Sequence, residues 1–517
     1  MVLAFPYSGS LSLVMFVAWV PLLFIESKVT RQRYKSGKVF IHAYWAFLIF
    51  NIGTTWWVWF ASDIGSILAF LANSLLMTLA FYAFHLTKRH VGTKEGYVSL
   101  LIYWIGFEYL HYNWEGSWTW LTIGNVFSEQ PSWIQWYSYS GAMGGTLWVL
   151  IVNLFVFRIY ENVLVRNESW RIQTPLIWLG SLAVIIPMCI SLGMYFNYEE
   201  KKDPVDIVVI QPNIDPYNEK FSGNVEDQID KIMALAKKKT SKSTDLVLAP
   251  ETAVYSLHEC WESQIPLYPW YRRLQEWQTE MDEVTICIGV STAKRFNTKV
   301  SRAAKPFLQE PGFYEQYNTS MLLKSGVEPK FVHKSKLVPG VESIPLSKTF
   351  PFLEELAIQN GGTSGTLGVE NGPKIFDAGG FKFAPVVCYE SIYGEWVAEQ
   401  CRMGAEIICI GTNDGWWGDT PGYKQHMSFA RIRAIENRRC VARSANTGTS
   451  GFINQRGDVI AASNWWEQDV MKQRLNLNSE QTFYTRYGNV MGRSFSFFGI
   501  LLLLFTFVKR FRKRVGK

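Results

Sequence analysis

Charge is scarce in this 517-residue chain: Asp, Glu, Lys and Arg make up 18% of it, against 48% hydrophobic residues. A sequence this long and this poor in charge exceeds one typical domain and has part of its length in lipid. Its seven cysteines are an odd count without a CxxC pair, which gives neither a disulfide framework nor a zinc site. No metal or other cofactor is called for. No cleavable signal peptide is evident ahead of the first apolar segment. The loops at 62–65 and 114–141 contain no Lys or Arg at all.

That last absence gives the topology. Six apolar segments precede residue 200, near 11–25, 39–61, 66–86, 97–113, 142–158 and 174–196, and most approach the roughly 20 residues that cross a bilayer, with the first and fourth shortest. Basic residues follow the first segment (Lys28, Arg31, Arg33, Lys35, Lys38), the third (Lys88, Arg89, Lys94) and the fifth (Arg158, Arg166, Arg171). By the positive-inside rule those loops are cytoplasmic and the loops without basic residues lie outside. A seventh apolar run, Phe495 to Val508, leads into the basic tail Lys509 to Arg514, which belongs inside.

Three domains are therefore expected: a transmembrane helical bundle over 1–200, an outer (periplasmic) domain over 205–490, and a C-terminal transmembrane helix with its tail over 494–517. The net charge of +7 is explained by topology and contact with anionic lipid, so no nucleic-acid partner is needed. Six crossings before an outer domain put Met1 outside as well, and the numbered chain is expected to begin after an earlier helix. The 22 Trp and 24 Tyr fit an interfacial aromatic belt. In the loop at 114–141 they include Trp118, a candidate for contact with lipid. Glu108, an acid at or near membrane depth, is a candidate functional group.

The outer domain alternates strands and helices. Asp206 to Gln211, Leu246 to Ala249, Thr285 to Gly289 and Glu406 to Ile410 read as buried strands, while Glu226 to Lys237 and Ser428 to Arg438 read as helices. The β-branched pair Val386-Val387 stops at Cys388, and Ile392 to Gln400 reads as a helix, so the cysteine falls at a strand-to-helix elbow. A helix N-terminus there lowers a thiol's pKa toward the reactive thiolate. Leu248-Ala-Pro-Glu251 puts a carboxylate just past another strand end, and Lys334 follows the strand Phe331-Val332. A thiol needs a base, for which a Glu raised toward neutrality by burial is suited, and an ammonium stabilises both thiolate and oxyanion. Each element alone also has a bland reading as a turn, a surface charge or a salt-bridge partner.

The order Glu, Lys, Cys resembles the nitrilase superfamily, through Ala249-Pro-Glu251-Thr-Ala253, Lys334 to Glu342 (K-x-x-L-x-P, with a Glu eight residues after the Lys) and Cys388-Tyr389-Glu390. Thr412-Asn-Asp414-Gly-Trp416-Trp417-Gly-Asp419, Gln425-His426, Ala430 to Asn437 and Asn446-Thr-Gly448 carry the likeness further, to the membrane-embedded apolipoprotein N-acyltransferases. The resemblance implies an α-helical transmembrane bundle plus an α/β nitrilase-like αββα sandwich. It also implies transfer of a fatty acyl chain from a phospholipid, chiefly the sn-1 chain of phosphatidylethanolamine, to a diacylated apolipoprotein, in the bacterial inner membrane and as a monomer. Glu251, Lys334 and Cys388 would be catalytic, with Glu342, Tyr389 and Glu390 supporting the lysine, the oxyanion and the cysteine.

Lys336 is a rival to Lys334, whose spacing to Leu337 and Glu342 fits the motif better. Pro339-Gly340-Val341-Glu342 stands where the family usually has Pro-Phe-Gly-Glu, and Phe221 stands one residue out of register with a family Trp. Phe221, Trp416 and Trp417 are candidates for the acyl-chain path. Two other functions compete. A membrane-anchored nitrilase-type amidase would need only one anchor, and a non-catalytic lipid- or lipoprotein-binding protein would have no reason to keep Glu251, Lys334 and Cys388 together.

Overall fold

The computed structural model describes residues 1–220, 223–255, 260–345 and 366–515, the side chains of 513–515 excepted. The chain divides into two compact units, one of residues 1–56, 66–197 and 489 onward, the other of residues 57–65 and 198–488.

The first unit is helical. Among the described residues six helical spans are long and apolar enough to cross a membrane: Ser12–Arg31, Gly37–Phe60, Asp63–His90, Ala142–Arg166, Trp170–Asn197 and Val490–Arg512. The fourth segment expected from the sequence folds as the helix Thr93–His111 but is not among them. It is 19 residues long and interrupts its apolar run with Lys94, Glu95 and Glu108. A buried charge is costly in a medium without water unless it is paired, and the acid Glu26 is paired. Glu26 receives Lys88 Nζ at 2.5 Å and His85 Nδ1 at 2.8 Å, with all three side chains buried.

The second unit is built on two sheets. The larger has the strand order Asp469–Asn476, Pro204–Gln211, Leu246–Leu248, Thr285–Phe296, Phe313–Lys324, and the last of these also pairs with Lys305–Pro306 and Val327–His333. The smaller runs Val459–Ala462, Gly451–Ile453, Val441–Ala445, Ile407–Thr412, Lys382–Val387, Phe376–Asp377. The central strands of both sheets are parallel. Parallel strands are covered on both faces, which is why they read in the sequence as unbroken hydrophobic runs.

The strand Pro204–Gln211 shows how the layers form. Ile207 and Val209 pack inward with Leu246, Leu248 and Cys287 against Phe383, Ile407, Cys409 and Ala442 of the other sheet. Val208 and Ile210 point the opposite way, to Ile229, Ile232 and Met233 of the helix Val225–Lys237 and to Leu274 of Pro269–Glu280. On the far side Val386, Ile408 and Ile410 meet Val397 and Cys401 of Gly394–Arg402 and Ala430 and Ala434 of Pro421–Asn437. Alternate residues along each strand thus serve two different interfaces, and the result is an αββα sandwich. The expected strands and helices are all present, the last helix beginning earlier than expected, at Pro421.

Candidate active site

The three chemistry-bearing motifs end strands on both sheets and meet in one cavity of about 100 Å³, lined by Glu251, Asn318, Lys334, Glu342 and Cys388, with Trp416 and Trp417 among its walls. Glu251 leaves the strand Leu246–Leu248 through a turn in which Thr252 takes a left-handed backbone, φ 47°. Lys334 follows the strand Val327–His333, and its backbone N–H donates to Asn318 O at 2.8 Å. Its Nζ donates to Glu251 Oε1 at 3.0 Å and to Glu342 Oε1 at 2.8 Å. Lys336 instead lies over the rings of Tyr393 and Trp396, 5.3 Å from each.

Glu342 reaches the lysine because the loop before it folds back. Gly340, at φ 85°, adopts a conformation costly for other residues and donates its N–H to Ser343 O at 2.7 Å. The second oxygen of Glu342 accepts from Val338 N at 2.9 Å.

Cys388 does follow the strand Lys382–Val387, but the helix expected from Ile392 does not start there. Cys388–Ile392 form a 3-10 turn, and the α-helix begins at Gly394. Cys388 itself has φ 49°, a strained backbone for a side chain other than glycine. Glu390 holds this turn from within. Its Oε2 accepts from Val387 N at 3.0 Å, and its Oε1 from Ser335 N at 2.8 Å and Lys336 N at 3.3 Å, tying the cysteine elbow to the lysine loop. Tyr389 is buried beside Tyr393, with ring centroids 5.5 Å apart.

The charge states differ from what the sequence implied. Burial, the Glu251 carboxylate and Asp414 push the Cys388 thiol up, with Lys334 and Thr412 opposing, so the elbow does not lower its pKa. Burial alone would raise Glu251 toward neutrality, but the adjacent Lys334 ammonium overrides it and holds this carboxyl below the ordinary range. Burial works against the Lys334 charge too, and the two carboxylates on it prevail, keeping it protonated. For Glu390 burial wins despite three backbone donors, raising it to about 7.

Two further residues belong to the site and carried no signal in the motifs. Asn318, in the middle of the strand Phe313–Lys324, donates Nδ2 to Glu251 Oε1 at 2.7 Å and to Glu342 Oε1 at 3.2 Å. Lys220 is buried, donates to Glu251 O at 3.2 Å and to Thr252 Oγ1 at 2.5 Å, and is pushed down to about 8 by burial. A lysine amid polar residues gives no hint in sequence that it is inside. Asn318 stands among other polar residues of its strand, Glu315, Gln316, Thr319 and Ser320, so its sequence neighbours do not single it out either.

Of the other candidates, two line the cavity and two lie in the helical unit. Trp416 packs on Tyr217 at 5.2 Å, and Trp417 on Trp57 at 4.8 Å, at the wall of the cavity. Glu108 and Trp118 belong to the helical unit. There the Glu108 carboxylate accepts from Trp104 Nε1 at 3.1 Å, Ile123 N at 3.0 Å and Thr146 Oγ1 at 2.7 Å, a brace from its helix to the loop after it and to the helix Ala142–Arg166. Phe221 lies outside the described residues.

The carbon-nitrogen hydrolase family matches residues 207–484, more than half of the chain. The chain belongs to the carbon–nitrogen hydrolase family. The N-terminal domain of apolipoprotein N-acyltransferases matches residues 1–155 as well. An apolipoprotein N-acyltransferase of Chlorobaculum tepidum is 28% identical over 92% of this chain and 89% of its own length. One of Geobacter metallireducens is 26% identical over 94% and 89%. Together these matches make this member of the carbon–nitrogen hydrolase superfamily an acyltransferase with several membrane-crossing helices. Among solved structures, an amidase of Nesterenkonia sp. AN1 is 15% identical, with a TM-score of 0.36 over 56% of this chain and 99% of its own. Nit3 of Saccharomyces cerevisiae is also 15% identical, with a TM-score of 0.37 over 56% and 97%.

Proposed function

We propose that this acyltransferase moves a fatty acyl chain from a phospholipid, the sn-1 chain of phosphatidylethanolamine, through a Cys388 thioester to the α-amino group of the N-terminal diacylglyceryl-cysteine of a lipoprotein. The observation that carries the proposal is the convergence of Glu251, Lys334 and Cys388 on one buried cavity, in a chain similar over nearly its whole length to apolipoprotein N-acyltransferases. Residues 205–490 form the catalytic domain on the outer face of the inner membrane, and 1–200 with 494–517 hold it there as a monomer.

Glu251, ionised in the resting site, takes the Cys388 proton as the sulfur attacks the ester carbonyl. The oxyanion of the tetrahedral intermediate forms beside the Lys334 ammonium and a backbone N–H of the Tyr389 turn, which are fixed beforehand and need not reorganise. Collapse breaks the ester C–O bond, and the lysophospholipid oxygen leaves with the proton from Glu251. The lipoprotein amine then attacks the thioester, Glu251 removes its proton, and the C–S bond breaks. The returning proton restores the thiol. Lys334 stays protonated throughout, because Glu251 and Glu342 both hold it.

Intact-mass spectrometry of the protein incubated with phosphatidylethanolamine tests this. The expected result is a fatty-acyl increment that hydroxylamine removes, that Cys388→Ala lacks, and that a diacylated lipopeptide discharges with matching N-acylation. An adduct lost to water as fast as to the lipopeptide would make the protein a hydrolase, and no adduct from a folded protein would leave only lipid or lipoprotein binding.

A further inference from the structure

The carbonyl oxygen of Cys388 is gripped by a buried polar array that the reaction above does not use. Ser391 Oγ donates to it at 2.7 Å, and His426 Nε2 lies 3.2 Å from it and 2.8 Å from Ser391 Oγ. The other ring nitrogen of His426, Nδ1, meets Asp414 Oδ1 at 2.9 Å. Asp414 is held in turn by Thr412 Oγ1, which donates to Oδ1 at 2.8 Å, and by Arg443 Nη2, which donates to Oδ2 at 2.6 Å. All of these side chains are buried, and Gly448 leaves them room, since a Cβ there would stand 2.6 Å from Asp414 Oδ2. Cys388, Asp414 and His426 present donor atoms within 4.8 Å of one another, but a metal ion there would face the Arg443 guanidinium that Asp414 already binds.

The direction of the carbonyl matters because of what shares its peptide. A trans peptide is planar with its C=O and N–H pointing opposite ways, and the N–H opposed to the Cys388 carbonyl is that of Tyr389. Cys388 lines the cavity, whereas Ser391, Asp414 and His426 are not among its described lining residues. Trp417, which is, packs against His426 with ring centroids 5.7 Å apart. The array therefore stands behind the cavity wall and draws the carbonyl toward itself.

We propose that Ser391 and His426 are positioning residues: by holding the Cys388 carbonyl inside the domain they turn the Tyr389 N–H toward the cavity, as the backbone donor to the oxyanion. Asp414 and Arg443 fix the His426 ring for that task. The left-handed φ of 49° at Cys388 is costly for a residue with a side chain, and the two contacts on its carbonyl offset that cost. Without them the peptide relaxes and carries the N–H off the oxyanion. A donor fixed in this way acts only on charge that develops on the substrate oxygen, so the array governs the tetrahedral step and leaves ionisation of the sulfur alone.

The inference rests on the Cys388 nucleophile and the Tyr389 donor proposed above, and its test compares two reactions of one sulfur. Full-length protein in detergent is mixed with p-nitrophenyl octanoate, and the burst of p-nitrophenolate is followed. The S–C bond forms, the ester C–O bond breaks, and the thiol proton passes to Glu251, with a tetrahedral oxyanion on the way. Alkylation of Cys388 by iodoacetamide, followed by mass, displaces iodide and passes through no such oxyanion. Ser391→Ala is expected to slow the burst about tenfold or more, with Lys334 still in place as the other donor, and to leave the alkylation rate as in the native protein. An unchanged burst in the folded variant overturns the proposal. Burst and alkylation falling together also overturn it, because the array would then place the sulfur or merely support the fold. Should Ser391→Ala not fold, His426→Asn is read the same way: it keeps a donor for Asp414 and loses the reach to Ser391 and the carbonyl. Failure of the nucleophile itself shows in a different variant, as a burst undiminished in Cys388→Ala, and takes this inference with it.

Discussion

Lys334 Nζ stands 3.0 Å from Glu251 Oε1, so the proposed base and the proposed oxyanion donor are an ion pair before any substrate arrives. That contact keeps the base ionised at neutral pH, and its partner Glu342 keeps the ammonium charged when Glu251 is transiently protonated.

Removing the lysine therefore strips two buried carboxylates of their cation. Lys334→Met is expected to abolish acyl-enzyme formation and to destabilise the catalytic domain by about 3–5 kcal/mol, the usual cost of breaking a buried ion pair from one side. Lys334→Arg should not rescue transfer, because a planar fork does not reproduce a point charge held at 2.8 and 3.0 Å. Chemical denaturation and intact mass measure the two effects.

Glu251→Gln separates thiolate formation from base catalysis. The Glu251 charge raises the Cys388 thiol, so its removal leaves Lys334 freer to stabilise the thiolate. Alkylation of Cys388 at fixed pH should become faster than in the native protein, while acyl transfer is lost for want of a base. A variant slow in both would contradict the assigned role.

Lys220 holds the Glu251–Thr252 turn. Lys220→Met is expected to lower kcat about tenfold with little change in KM, in line with the loss of one charge-assisted hydrogen bond of about 1.5 kcal/mol. Steady-state kinetics over phospholipid concentration show the split.

Glu390 gives the fold a pH dependence. Its folded-state pKa of about 7 lies above the ordinary 4.5, so between those values the native state binds more protons than the unfolded one. Stability should fall as pH rises from about 4.5 to 7, by about 3 kcal/mol from this group, and level off above. Glu390→Gln should flatten that slope in denaturation curves taken at several pH values.

In the helical unit, Glu26→Gln leaves Lys88 and His85 facing a neutral amide in a buried setting. A loss of about 3 kcal/mol or more is expected, read as a lower thermal midpoint, with Lys88→Met/Glu26→Gln recovering part of it.

The sequence by itself determined six of the seven expected apolar spans, the strand-rich layers and the identity of the site motifs, since each is local. An apolar run of bilayer length, a buried parallel strand and a Lys spaced eight residues from a Glu are visible wherever the chain later folds. It also favoured Lys334 over Lys336 by spacing, and in the structure Lys334 contacts Glu251 and Glu342 while Lys336 lies over the rings of Tyr393 and Trp396.

Only the tertiary structure decided the charge states and the partners, because these depend on groups far apart in the chain. Glu251 looked like a base to be raised by burial, and the lysine 83 residues away reverses that. Cys388 looked like a helix-end thiolate, but the helix starts six residues later and burial keeps the thiol protonated. Asn318 and Lys220 reach Glu251 and its turn from segments that become neighbours only in the sandwich. Pairwise electrostatics in a low-dielectric interior fall with distance in space, and the order of residues along the chain carries no record of that distance.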